Sequence, residues 1–204
     1  RLRNRAEAAL AAPQDDAGYR EALEATIAES DQLIRTFNAI LMISRLEAGN
    51  QPEGTGSVDL ADTVRDVCEL YEALAEERGV ALVSDITPVP PIKGNRELLG
   101  QALSNVLDNA IKYAVGGSAP RVVVALRQAG EEIILTVSDN GPGIAPEDRE
   151  RVTERFVRLE RSRNLPGSGL GLSIAKAVLG FHRGRLELDD AKPGLVARMV
   201  LPVA

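Results

Sequence analysis

In QALSNVLDNAIKY, Asn105, Asn109 and Lys112 recur at spacings of four and three residues, so a helix would carry all three on one face, with Tyr113 one turn past Asn109. Polar groups then line up along an otherwise apolar helix, although any single asparagine there also reads as a cap or a solvated residue. In SDNGPGI, Asp139 closes an apolar strand and precedes Gly141 and Gly143. Asp-Asn-Gly is strong turn chemistry. A carboxylate there can equally accept a hydrogen bond from an amino group such as that of adenine, with glycines letting the backbone approach the base. In LPGSGLGLSIAK, Gly167, Gly169 and Gly171 stand at the mouth of a helix, where unobstructed backbone amides suit phosphate oxygens. No GKS or GKT follows, which separates the segment from a Walker loop, and a glycine turn without a ligand stays open for this piece alone.

Such clusters need elements to hold them. The pattern predicts a helix over 96–115 capped by Asn95, two strands within 121–139 joined near Ala129 and Gly130, and a helix over 169–181. Strands at 185–190 and 195–202 follow, across a turn at Pro193 and Gly194. Ahead of these, Asp59 can cap a helix running to Arg78 and closed by Gly79, after which 80–86 alternates as a strand and TPVPPIKG is irregular. Residues 140–168 lack a sustained period and read as a long loop with one short helical piece over 147–156. This order predicts an α+β fold, a two-layer sandwich of a mixed, mostly antiparallel sheet with helices on one face. A Rossmann domain is disfavoured, because neither glycine cluster has the strand, GxGxxG and helix arrangement.

The first quarter of the chain differs. An Ala- and Arg-rich helix is predicted over 2–12 and a longer one over 19–48, together the remnant of a helical hairpin. In the longer one Leu23, Ile27, Ser30, Ile34, Phe37, Leu41 and Ser44 step by threes and fours, widened by Leu33 and Ile40. So wide an apolar face must pack in a bundle, most economically against a second copy of the chain, with an ordinary intrachain core helix as the alternative. Gly49 and the turn-rich NQPEGTGSV mark a linker, dividing the chain into 1–49, 50–57 and 58–204.

Composition narrows the function classes. Charged residues at 26% and hydrophobic ones at 44% are globular, and aromatics at 3% leave an aliphatic core. A net charge of −6 without a basic block argues against nucleic-acid binding. Cys68 has no disulfide partner and reads as a small buried hydrophobe. No apolar run approaches the roughly 18 to 20 residues that span a bilayer, and RLRNRAEAAL is not a signal peptide.

Taken jointly, the order Asn-xxx-Asn with Lys and Tyr, then Asp-x-Gly-x-Gly, then Gly-x-Gly-Leu-Gly-Leu resembles the N box and glycine boxes of bacterial sensor histidine kinases, within the gyrase, heat-shock chaperone and histidine kinase ATPase superfamily. ERFVRLERSRN resembles the phenylalanine box and lid, and ISRLEAGN the end of the second helix of the kinase dimerisation domain. The resemblance covers about residues 55–204.

By that resemblance the cofactors are ATP and Mg²⁺, with Asn109 a metal ligand and Asn105 supporting the metal or its waters. Lys112 would neutralise phosphate charge and, with Asn105, serve catalysis, while Tyr113 would line or stack on the nucleotide. Asp139 would read adenine. Gly141, Gly143 and Ile144 would begin a lid that Gly167, Ser168, Gly169, Leu170, Gly171 and Leu172 close over the phosphates. Phe156 would anchor that lid by burying its ring, and Arg158, Arg161 and Arg163 are candidates for the γ-phosphate. Hydrolase and serine-kinase relatives carry an acidic base where Asn105 stands, and an amide cannot take a proton, so the resemblance implies transfer to histidine. A regulatory nucleotide-binding module without transfer is the alternative. The family's acceptor histidine has no counterpart here. The one histidine, His182, reads as a turn residue before a strand, so the chain is expected to be trimmed downstream of the acceptor and unable to phosphorylate itself. The implied partners are a second copy through residues 1–48 and the receiver domain of a response regulator, and the implied location is the cytoplasmic part of an inner-membrane parent.

Overall fold

The computed structural model describes residues 16–49, 53–115, 119–159 and 168–203. The helix predicted over 2–12 lies outside them. The chain divides into two compact units at Met42 and Ile43.

Helix α1, Asp16–Glu47, runs through the first unit and ends in the second. In the first unit Leu23, Ile27, Leu33, Ile34 and Phe37 are exposed, with Phe37 at 61%. In the second, Ile43 and Leu46 are buried.

The second unit is an α+β sandwich. Strand β1 (Thr55–Val58) pairs antiparallel with β3 (Ile92–Asn95), so the turn-rich linker and the irregular TPVPPIKG both contain strand. The pairing buries only Val58 against Ile92, too little apolar periodicity to read from sequence. Helix α2 (Leu60–Glu77) is capped by Asp59, whose Oδ1 accepts the Asp62 amide at 3.0 Å. It buries Leu60, Val64, Val67 and Cys68 at helical spacing.

Strands β2 (Ala81–Ile86), β4 (Arg121–Ala129), β5 (Glu132–Asp139), β6 (Arg185–Asp190) and β7 (Leu195–Pro202) form a five-stranded sheet in the order β2-β4-β5-β7-β6, parallel only between β2 and β4. Register aligns the buried rows: Val124 opposes Val137, which opposes Ala197, and Leu126 opposes Leu135, which opposes Met199. Alternate residues such as Val123, Ile134 and Thr136 are half-buried, which leaves one face for the helices. Helix α3 (Arg96–Ala114) covers it with Leu99, Leu103, Val106, Leu107, Ala110 and Ile111, and α4 (Gly171–Phe181) adds Ile174, Ala175, Val178 and Leu179. The short helical piece predicted over 147–156 is two 3₁₀ turns, Pro146–Asp148 and Arg151–Thr153. Among the described residues no helix is long and apolar enough to cross a membrane.

Candidate nucleotide site

Period two along β5 puts Asp139 in the same inward row as Ile133, Leu135 and Val137. A carboxylate is thereby buried to 6% exposure at the end of an aliphatic row. Its Oδ1 accepts the Gly141 amide at 2.9 Å and the Leu195 amide at 3.4 Å, which leaves Oδ2 to an outside donor. Burial pushes the Asp139 carboxyl above its ordinary range, partly offset by those two amides.

Helix α3 begins at Asn95, whose Oδ1 accepts the Leu98 amide at 2.9 Å. Its apolar residues face the sheet, so Asn105, Asn109 and Lys112 fall to one side, toward α4. Asn105 is held by its Nδ2, which donates to the Gln101 carbonyl at 2.8 Å. The Lys112 ammonium lies 5.1 Å from the Tyr113 ring centroid.

Leu170 precedes α4 without a side-chain cap, so the first amides of the helix have no side-chain acceptor there. Gly171 brings α4 near the asparagines: a Cβ on it would lie 3.3 Å from Asn109 Nδ2 and 3.4 Å from Asn105 Oδ1. An anion-seeking helix start and two amides thus share one small space.

These elements enclose a cavity of about 550 Å³, of the size that holds a cofactor. Asn105, Asn109, Lys112, Tyr113, Asp139, Gly143, Ile144, Arg158, Ser168, Gly169, Gly171 and Leu172 all line it. One end carries the buried carboxylate on an apolar floor of Val137 and Ala197; elsewhere it offers amides, an ammonium and a helix N-terminus. The donor set fits an adenine ring and a magnesium triphosphate. Asn109, with a second amide at Asn105, would hold the ion, which keeps most of its ligands as water and phosphate oxygens.

Residues 94–204 match the family described as histidine kinase-, DNA gyrase B- and HSP90-like ATPase. The chain belongs to that family. Its similarity to sensor histidine kinases extends over nearly its whole length. The sensor-like histidine kinase SenX3 of Mycolicibacterium smegmatis is 32% identical over 97% of this chain and 51% of its own length. The mycobacterial sensor histidine kinase MprB has a solved structure 35% identical, covering 72% of this chain and 97% of its own, with a TM-score of 0.64. Full-length ShkA in complex with AMPPNP is 27% identical over 94% of this chain and 40% of its own, with a TM-score of 0.78. The chain spans about half the length of the curated SenX3 relatives it matches.

Against the kinase pattern, two expectations need correction. Phe156 does not bury its ring: it is 55% exposed, because the backbone reverses there at φ 65° with its amide donating to the Gly169 carbonyl at 3.0 Å. The second 3₁₀ turn is tied to α4 by buried Thr153, whose Oγ1 accepts from Lys176 at 3.2 Å. Gly141 lacks a side chain because of protein rather than ligand, since a Cβ there would fall 2.4 Å from the Tyr113 carbonyl oxygen. His182 does lie in the turn before β6, and it is buried there at the C-terminal cap of α4. Leu170 is buried behind the cavity, while Arg161, Arg163 and Gly167 lie outside the described residues.

Sequence reasoning passed over Asp108, Val137, Leu195 and Ala197, all lining the cavity. Val137 was findable as the inward neighbour of Asp139 on one strand. Leu195 and Ala197 arrive only through the β5–β7 register, which pairs Ala197 with Val137.

Proposed function

We propose that the chain is the phosphoryl-donating core of a two-component sensor kinase. It binds Mg-ATP and transfers the γ-phosphoryl group to a histidine of a dimerisation domain, for relay to an aspartate on a response regulator receiver domain. The observation that carries this reading is the nearness of the uncapped start of α4 to Asn105 and Asn109 at Gly171, in the same cavity as the buried Asp139.

Asp139 Oδ2 accepts from the adenine amino group, and the apolar floor excludes water from the ring. The amides at the start of α4 and the Lys112 ammonium bind phosphate oxygens, and Asn109 would supply a ligand to the ion. Magnesium, when bound, would neutralise charge that develops on the phosphate oxygens. An incoming neutral imidazole nitrogen forms the N–P bond as the bond between the γ-phosphorus and the β,γ-bridging oxygen breaks, leaving ADP. Asn105 accepts no proton and so activates no water, which favours transfer over hydrolysis. The exposed stripe of α1 pairs with a second copy of the chain.

Incubation of the chain with Mg-ATP and a histidine-bearing dimerisation domain should yield acid-labile, base-stable phosphate on that domain. Steady release of inorganic phosphate without labelled histidine would overturn transfer.

A further inference from the structure

Asn95 sits where three segments meet. Its backbone N–H donates to Nε2 of His182 at 3.0 Å, its Oδ1 starts α3 by accepting from Leu98, and its Nδ2 donates to the Glu53 carbonyl at 2.8 Å, just ahead of β1. His182 closes the other helix of the site: it is the C-terminal cap of α4, with Nδ1 2.7 Å from the Val178 carbonyl. Since Nε2 accepts from Asn95, Nδ1 carries the proton and the ring is the neutral tautomer. Asn95 and His182 are buried at 4% and 7%. Gly94 is packed onto the ring so closely that a Cβ there would fall 2.7 Å from Cδ2 and 2.8 Å from Nε2. The start of α3 therefore meets the end of α4 at Asn95 and His182, while the start of α4 meets the middle of α3 at Gly171, Asn105 and Asn109.

We propose that Asn95 and His182 are positioning residues: their hydrogen bond sets the placement of α4 along α3, and with it the spacing of the Gly171 amide from Asn105 and Asn109, in a way that acid releases. This rests on the nucleotide reading of the cavity. Protonated, the imidazole presents Nε2–H to the Asn95 N–H, donor against donor, and buries a cation. Nearby charges do not compensate. The charged side chains on the groove that His182 borders are Lys93 on β3, Lys176 on α4, Arg183 beyond it, Arg185 on β6, and past them Glu154 and the Glu47–Arg155 pair. Burial holds the His182 imidazole below its ordinary value, with the Val178 carbonyl opposing. A lowered folded value means that the bond is intact above the ordinary histidine range and is lost as pH falls through the folded one. The Glu53 bond links the same junction to the chain entering the domain.

The experiment titrates Mg-ADP into the full chain at about pH 8 and about pH 5.5, below the melting temperature of each variant. His182→Gln can offer a carbonyl oxygen to Asn95 without titrating, and Gly94→Ala displaces the ring while keeping both hydrogen-bonding groups. The wild type should lose a few-fold more affinity on acidification than His182→Gln, whose residual loss reports Asp139 and the nucleotide phosphates. Gly94→Ala should bind several-fold more weakly at about pH 8 while still melting cooperatively. Superimposable pH profiles for wild type and His182→Gln, or wild-type affinity in Gly94→Ala, would overturn the junction. Absence of wild-type binding at about pH 8 would instead overturn the nucleotide reading, and the junction's role with it.

Discussion

Asp139 Oδ1 accepts the amide of Leu195, 56 residues later in the chain, at 3.4 Å, while also accepting that of Gly141 at 2.9 Å. One carboxylate oxygen thus serves the fold and the other is left for a ligand. Asparagine can reproduce the first function through its carbonyl oxygen but offers a donor in place of the second. Asp139→Asn should therefore keep the fold and lose adenine nucleotide affinity by about a hundredfold, the effect of replacing one charged hydrogen bond with a donor facing a donor.

Its stability should move the other way. Burial raises the folded value of Asp139, so this group contributes stability below its ordinary carboxylate range and loses it as pH rises through the folded value. Above that folded value the ionised carboxylate is a cost that the amide relieves. Thermal melts at about pH 7 should place Asp139→Asn at or above the wild type, a trade of function against stability. A melting temperature well below it would refute this assignment of costs.

Gly171→Ala separates binding from folding in a second place. The backbone of Gly171 is helical, and alanine in a helix is favoured over glycine by about 0.5–1 kcal/mol. The added Cβ would press on Asn109 Nδ2 at 3.3 Å, tighter than ordinary contact, and touch Asn105 Oδ1 at 3.4 Å. Melting should be unchanged or slightly raised, and Mg-nucleotide affinity should fall about tenfold, read by displacement of a fluorescent nucleotide. Equal affinity would show that the amides need not hold that spacing.

What was legible in the sequence, and what was not, follows the range of the interactions. Helix α3 could be read because its apolar residues keep a helical period and Asn95 caps it locally. Asp139 could be placed because period two along one strand fixes its face. The partner of β1 could not, since Thr55 meets Asn95 through backbone bonds between two short, glycine-containing segments. The burial of His182 was hidden for the same reason: its hydrogen-bond donor is the amide of Asn95, 87 residues away. Phe156 misled because the family resemblance of ERFVRLERSRN implied a buried anchor, whereas a left-handed backbone at φ 65° leaves its ring mostly in solvent.

Phe37→Asp tests the helical face. Phe37 is 61% exposed amid Leu33, Ile34 and Leu41 on α1, an apolar stripe that pairing of two chains would cover. Light scattering at matched concentration should give the mass of two chains for wild type and of one for the variant. Retention of the wild-type mass by Phe37→Asp would contradict that interface.

Cys68 is buried in α2, and burial, with Glu72 adding to it, pushes its thiol up to about 11. So little thiolate exists near neutrality that native protein should resist alkylation by iodoacetamide, whereas urea-unfolded protein should react at the rate of a free thiol. Rapid labelling of the native chain would show that this side of α2 opens.

The central claim is that the cavity between α3, α4 and the end of β5 holds an adenine nucleotide with magnesium. Calorimetric titration of ADP into the folded chain, with magnesium and then with the metal chelated, tests it most directly. One nucleotide per chain should bind, more tightly with magnesium, and Asp139→Asn should bind about a hundredfold more weakly. No heat from the wild type, or equal binding by Asp139→Asn, would contradict it.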